Sequence, residues 1–171
     1  NSGKYIKPYT YTKVLDSTGQ VILENTSSTS QAISPAAAYL TADLLSGVVN
    51  SSVGTGKGAK LDCGISTYGK TGTTDDDCDK WFVGFTPYYV GACWYGFDTP
   101  ASISAAGVSG NPTVTAWNLV MEKIHESLNP KEITKPSNVV EAQVCEYSGM
   151  LATDTCPTTT AYFVEGTQPK A

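Results

Sequence analysis

Residues 64–97 constrain the fold most, because they hold three short apolar segments with no room between them for a helix. The segments cover residues 64–73, 81–86 and 88–97, and they are separated by the acidic turn TDDDCD and by Pro87. Parallel strands need a crossover of a dozen or more residues, whereas antiparallel strands can be joined by a tight turn. The sequence therefore predicts three consecutive antiparallel strands.

A hairpin and two helices are predicted around these strands. The segment YTYTKVLDSTGQVILEN is typical of a hairpin, because apolar residues stand on both sides of an Asp-Ser-Thr-Gly turn. Ser34 followed by Pro35 is typical of a helix start. The apolar residues that we expect near one face of this first helix are Ala38, Leu40, Leu44 and Leu45. The second helix covers residues 112–128, and its helically spaced apolar residues are Trp117, Val120, Met121, Ile124 and Leu128.

The predicted fold class is therefore α/β of the α+β type, an antiparallel sheet with flanking helices. The proline-bearing segment NPKEITKPSN separates this unit from the last stretch of the chain. We expect residues 1–130 to form the main unit and residues 131–171 to form a linker and a small C-terminal tail. Residue 1 is not an initiator Met, so we interpret it as a processed, cloned or proteolysed end.

Composition excludes some functions. All eleven basic residues are lysine, sixteen residues are acidic and the net charge is -5, which disfavours a nucleic-acid surface.

The five cysteines lack the C-x-x-C spacing of a zinc knuckle, and we expect no metal and no cofactor. Free thiols and a disulfide both remain open, and the pair expected if one forms is Cys145–Cys156. The only histidine, His125, is interpreted as a solvated helix residue, and the acidic turn as a solvated turn rather than a calcium site.

The run Lys70-Thr71-Gly72-Thr73 is the strongest candidate for chemistry. On a strand, Lys70 and Gly72 point to one side and the two threonines to the other. Glycine removes the side chain that would keep a ligand away from the backbone. Such a segment can cradle a carboxylate, and it can equally be a polar edge strand. Its position before the strand WFVGFTP makes the pattern more specific than the tripeptide alone.

Several blocks of the chain resemble the transpeptidase domain of class A high-molecular-weight penicillin-binding proteins. They are NSGKYIKPYTYTKVLDSTGQVI, LTADLLSGVV, GKTGTTDDDCDKWFVGFTPYY, AGVSGNPT and a tail containing SGMLATDTCP and AYFVEGTQP. The family's three motifs are S-x-x-K, S-x-N and K-T-G. Only the third stands in its expected place, because no serine here has a lysine three residues later and Ser109-Gly110-Asn111 follows K-T-G instead of preceding it.

The resemblance implies a D,D-transpeptidase that cross-links peptidoglycan stem peptides through an acyl-serine and is acylated by β-lactams. Lys70 would keep the site electropositive and assist proton transfer, and Gly72 would permit close approach of the substrate. The hydroxyls of Thr71 and Thr73 would bind a carboxylate, and the N–H of Thr73 would form half of the oxyanion hole. The nucleophile would lie in the remaining N-terminal part of the domain, and this chain alone would be inactive.

The implied location is the extracytoplasmic face of a bacterial membrane, with an anchor outside this chain. Two alternatives stay open at this point. One is a serine β-lactamase or β-lactam sensor domain, which shares K-T-G. The other is a non-enzymatic cell-surface adhesin module, which the polar, arginine-free composition suggests and which predicts a complete β-sandwich.

Overall fold

The computed structural model describes residues 1–170, and within that range it contains nine strands and two α-helices. The helices are α1 (Pro35–Asn50) and α2 (Pro112–His125). The strands are β1 (Lys4–Ile6), β2 (Lys13–Leu15), β3 (Val21–Glu24), β4 (Thr29–Gln31), β5 (Tyr68–Thr73), β6 (Asp79–Phe85), β7 (Val90–Gly96), β8 (Val139–Cys145) and β9 (Thr158–Val164).

The three-stranded sheet has the order β5-β6-β7, and both pairs are antiparallel. This confirms the predicted antiparallel sheet with flanking helices. Helix α1 packs against β5, and α2 packs against β6 and β7. The architecture is mixed α/β, and the β-sandwich that the adhesin alternative predicts is not formed by the described residues.

Aromatic packing between the sheet and α2 forms the core. Phe82 is fully buried, and its ring meets that of Trp117 edge to face with centroids 5.3 Å apart. Glycines make room for this contact, since a Cβ on Gly84 would lie 2.9 Å from the Trp117 ring and one on Gly91 would lie 2.5 Å from Met121 Cε. The helix can therefore approach the sheet only because these two strand positions lack side chains.

Helix α1 begins where the sequence predicts. The Ser34 hydroxyl accepts a hydrogen bond from the Ala37 N–H, and Pro35 occupies the first turn. The predicted apolar face is wrong in one respect, because Leu44 is 76% exposed while Ala42 and Val49 are buried. The buried residues of α1 are thus smaller than the leucines that we expected.

Helix α2 corrects two further expectations. Val120 and Ile124, predicted on the apolar face, are exposed, and His125, predicted to be solvated, is completely buried. The His125 Nδ1 bonds the Met121 carbonyl oxygen at 2.7 Å, and its Nε2 lies 2.8 Å from Thr86 Oγ1. Burying a polar ring is possible here because both nitrogens have partners.

The N-terminal 33 residues form two small antiparallel sheets, β1-β4 and β2-β3. The second is the predicted hairpin. In its turn, Gly19 has a φ of +85°, and the Asp16 carboxylate accepts hydrogen bonds from Thr18 and from the Gln20 N–H. These hydrogen bonds, that of the Thr18 side chain first, lower the pKa of Asp16.

The C-terminal hairpin β8-β9 carries the expected disulfide between Cys145 and Cys156. The hairpin rests on α1 through Tyr162, whose ring meets that of Tyr39 edge to face at 5.6 Å, and burial raises the pKa of Tyr39 to about 12. The other three cysteines, Cys63, Cys78 and Cys93, are free. Among the described residues, no helix has the length and apolar character that crossing a bilayer requires.

Candidate active site segment

Strand β5 places Lys70–Thr73 on an edge of the sheet, since β6 is its only partner in the described part of the chain. The ladder register decides which backbone groups face outward. The Thr74 N–H donates to the Asp79 carbonyl oxygen at 3.2 Å, in register with the β5-β6 pairing. Antiparallel residues alternate between bonded and non-bonded pairs, so Thr71 and Thr73 direct their N–H and C=O groups away from β6.

The side chains of the segment differ in their surroundings. Lys70 is exposed, and its Nζ donates to the outward-facing Thr71 carbonyl oxygen at 2.9 Å. The Thr71 hydroxyl lies 2.8 Å from the hydroxyl of Thr55. Thr73 is exposed at the strand end. The edge therefore presents an ammonium group, two hydroxyls and a backbone N–H within four residues.

Gly72 keeps the strand close to its neighbour. A Cβ at this position would lie 3.3 Å from the Cβ of Trp81, which is directly opposite in the ladder. That distance is tighter than an ordinary van der Waals contact, so a larger residue would push β5 away from β6. The glycine thus allows β5, and with it Thr71 and Thr73, to lie close to β6.

The turn after β5 is more ordered than the sequence suggests. The carboxylate of Asp77 forms an ion pair with Lys80 and accepts hydrogen bonds from the N–H and hydroxyl of Ser104. The Lys80 contact is the largest of the causes that lower the pKa of Asp77. Asp79 accepts a hydrogen bond from the indole N–H of Trp94 at 2.8 Å. Interpreting the whole turn as solvated was therefore wrong for these two residues, which fix the end of the β5-β6 hairpin.

The segment Ser109-Gly110-Asn111 matches S-x-N in sequence, but its asparagine has a structural role. Asn111 is the N-cap of α2, where its Oδ1 accepts from the Thr113 N–H at 3.1 Å. Its Nδ2 donates to the Trp81 carbonyl oxygen at 3.0 Å. Both ends of the amide are thus engaged in joining α2 to the sheet.

Sequence reasoning missed Thr55 and Thr86. Thr55 lies in the glycine-rich loop that follows α1, and the flanking Gly54 and Gly56 were the available signal. Thr86 follows β6 and pairs with the buried His125. The signal for His125 was its place four residues after Met121 and eight after Trp117, in line with two core residues of α2.

A cation beside hydroxyls and an outward N–H can bind a carboxylate or a developing oxyanion.

The largest part of the chain, residues 1–97, matches the family model for the penicillin binding protein transpeptidase domain. Residues 135–171 match the model for the C-terminal domain of penicillin-binding protein 1A. The chain therefore belongs to the penicillin-binding protein transpeptidase family, as the sequence motifs predicted.

Comparisons with individual proteins agree with this assignment. A penicillin-binding protein 1A of Clostridium tetani is 39% identical over 175 residues, which is 99% of this chain and 22% of that protein. The chain thus spans about a fifth of the length of the curated relatives it matches.

Solved structures share the fold. The structure of penicillin-binding protein 1A from Haemophilus influenzae superposes with a TM-score of 0.82 at 22% identity, covering 99% of this chain and 30% of that one. A D,D-transpeptidase domain of a peptidoglycan glycosyltransferase from Eggerthella lenta gives a TM-score of 0.57 at 28% identity, covering 75% of this chain and 30% of that one.

Proposed function

We propose that the chain supplies the K-T-G strand of a peptidoglycan D,D-transpeptidase whose nucleophilic serine lies outside residues 1–171. The observation that carries the proposal is the outward-facing N–H of Thr73, placed beside Lys70 and Thr71 on the open edge of β5. Among the residues of this chain, S-x-x-K does not occur. The N-terminal remainder of the domain is therefore the partner that brings the nucleophile to this edge.

In the first half of the reaction, the serine oxygen attacks a peptide carbonyl of one stem peptide. A general base of the active site takes the serine proton and passes it to the leaving amine, and the serine is left as an ester. During the attack the carbonyl oxygen becomes negative, and the Thr73 N–H donates to it. The hydroxyls of Thr71 and Thr73 hold the substrate carboxylate. The Lys70 ammonium stabilises the negative charges of the carboxylate and of the carbonyl oxygen, and it assists the proton transfer.

In the second half, the amine of another stem peptide attacks the ester. It loses a proton to the base as the new peptide bond forms, and the serine regains a proton as it departs. A β-lactam enters the same first step, since its ring amide opens on the serine. The nitrogen released by ring opening remains covalently attached to the acyl group and cannot diffuse away. The acyl-enzyme therefore persists, and the antibiotic inhibits the enzyme.

The unpaired edge of β7 supports the partner assignment. Strand β7 has one strand neighbour in the described residues, β6, and on its other side it presents open backbone groups. Val90 is 74% exposed and Trp94 is 46% exposed. An apolar edge of this kind promotes aggregation unless it is covered. We infer that the preceding part of the domain covers it and that the active site lies between that part and β5.

The tail and the location are also proposals. We propose that residues 131–171 are a linker and a tail that docks on α1 through Tyr162 and performs none of the chemistry. The substrate is part of the cell wall, so we infer that the chain works on the extracytoplasmic face of the membrane, anchored by a segment outside residues 1–171.

The test is acylation of the whole transpeptidase domain by a fluorescent penicillin, followed on a denaturing gel. We expect the wild-type domain to be labelled and Lys70→Ala to be labelled roughly ten to a hundred times more slowly, because a charge-assisted contact is lost. Lys60→Ala removes the same charge from an exposed loop position and serves as the control, with an unchanged rate. A wild-type domain that is not labelled would refute the proposed function.

A further inference from the structure

The hydroxyl of Thr71 does not stand alone at the edge of β5. Its oxygen lies 2.8 Å from that of Thr55, on the glycine-rich loop that follows α1. Both side chains are accessible rather than buried, so a ligand can reach this pair from the open edge. No other hydrogen bond of either hydroxyl is seen in the described part of the chain.

The loop holds Thr55 in place through its two glycines. The Gly56 N–H donates to the Val48 carbonyl oxygen at 2.9 Å, and a Cβ on Gly54 would lie 2.3 Å from that same oxygen. A Cβ on Gly56 would lie 3.1 Å from the ring of Phe82. Phe82 is the residue opposite Thr71 in the ladder, so the loop packs on the same pair of strands that positions Thr71.

We propose that Thr55 is a positioning residue for the reaction, an inference that rests on the proposed function. A hydroxyl that holds a carboxylate must donate its single proton to it. When the Thr55 hydroxyl donates to the Thr71 oxygen, the Thr71 proton is free to point at the substrate carboxylate. The two hydrogen bonds then run in one direction and polarise each other, which strengthens the contact to the carboxylate.

A double-mutant cycle tests this on the whole transpeptidase domain, with the second-order rate of acylation by benzylpenicillin as the readout. Thr55→Val removes the hydroxyl and keeps the β-branched shape. We expect acylation to slow roughly three- to tenfold, the effect of one neutral hydrogen bond. In a Thr71→Val background the same substitution is expected to have no further effect, because its only route to the substrate has been removed.

Two controls separate positioning from folding. Thr55→Ser is expected to restore the rate to within about twofold, since the hydroxyl returns. Thr41→Val, which removes an exposed helix hydroxyl bonded to the Ala37 carbonyl oxygen, is expected to change nothing. Melting temperatures identify any variant that loses its fold, and Thr55→Ala then replaces Thr55→Val in the cycle.

The outcomes are distinct. An equal slowing by Thr55→Val in both backgrounds, or no slowing in the wild-type background, refutes the role of Thr55 while leaving the proposed function intact. Absence of labelling in the wild-type domain refutes the proposed function and this inference with it. Slowing that vanishes in the Thr71→Val background supports it.

Discussion

Replacing Thr73 by proline would separate the proposed oxyanion contact from the stability of the sheet. The ladder register places the Thr73 N–H on the outer side of β5, so removing it leaves every β5-β6 hydrogen bond intact. Proline is tolerated on an edge strand when the missing N–H faces outward. We therefore expect the free energy of unfolding of the whole domain to fall by less than about 1 kcal/mol, the scale of one ordinary hydrogen bond.

The rate of acylation should respond very differently. Losing one oxyanion donor costs about 2.7–4 kcal/mol of transition-state stabilisation, or roughly a hundred- to a thousandfold in rate. Thr73→Ala removes the hydroxyl and keeps the N–H, so the ratio of the Thr73→Ala and Thr73→Pro rates isolates the N–H. We expect that ratio to be about a hundred or more.

Gly72→Pro is the matched control for the backbone argument. The Gly72 N–H faces β6, so this substitution removes a ladder hydrogen bond and also crowds Trp81. It is expected to lower the midpoint of urea unfolding clearly, whereas Thr73→Pro leaves it nearly unchanged. If Thr73→Pro unfolds as readily as Gly72→Pro, the Thr73 N–H does not face outward; if it is acylated within threefold of Thr73→Ala, that N–H is not an oxyanion donor.

Further predictions concern the chain itself and the domain around it. Thr86→Val should destabilise the domain by about 1–3 kcal/mol, because the Nε2 of the buried His125 loses its partner, and denaturant titration measures this; a change below about 0.5 kcal/mol would contradict it. The carboxyl of Asp77 should titrate below its ordinary value of 3.8 by NMR, and the stability it contributes should be lost as the pH falls through that lowered pKa; titration above 3.8 would contradict the ion pair. Replacing Cys145 and Cys156 by serine should lower the stability of the tail by about 2–4 kcal/mol, seen as faster hydrogen exchange in β8 and β9 with unchanged acylation; equal exchange would show that the disulfide is dispensable. Residues 1–171 alone should not be labelled by penicillin and should aggregate; a labelled, cooperatively melting monomer would contradict both expectations.

The sequence alone determined the features that depend on neighbouring residues. Ser34 and Pro35 define the start of α1 by a capping hydrogen bond and a fixed φ, both of which act within one turn. The Asp16–Gly19 turn and the three closely spaced apolar segments were predicted correctly for the same reason. The motif order also identified the family, because the match depends on the residues and not on their packing.

Only the tertiary structure decided which faces are buried. Trp117, Met121 and His125 repeat every four residues, as do Val120 and Ile124, and the sequence does not say which row meets the sheet. The choice follows from Gly84 and Gly91, which open space for Trp117 on the neighbouring strands. With this row facing the sheet, His125 lies in the core, where its Nε2 pairs with the hydroxyl of Thr86.

The same limit applies to the candidate site. Lys70–Thr73 could be chosen from the sequence, but Thr55 lies fifteen residues before Lys70 and reaches Thr71 only through the packing of its loop on Val48 and Phe82. The outward direction of the Thr73 N–H likewise depends on the register with β6, and a shift of one residue would turn it inward. Contacts between distant segments depend on how the whole core is filled, and no local pattern records that.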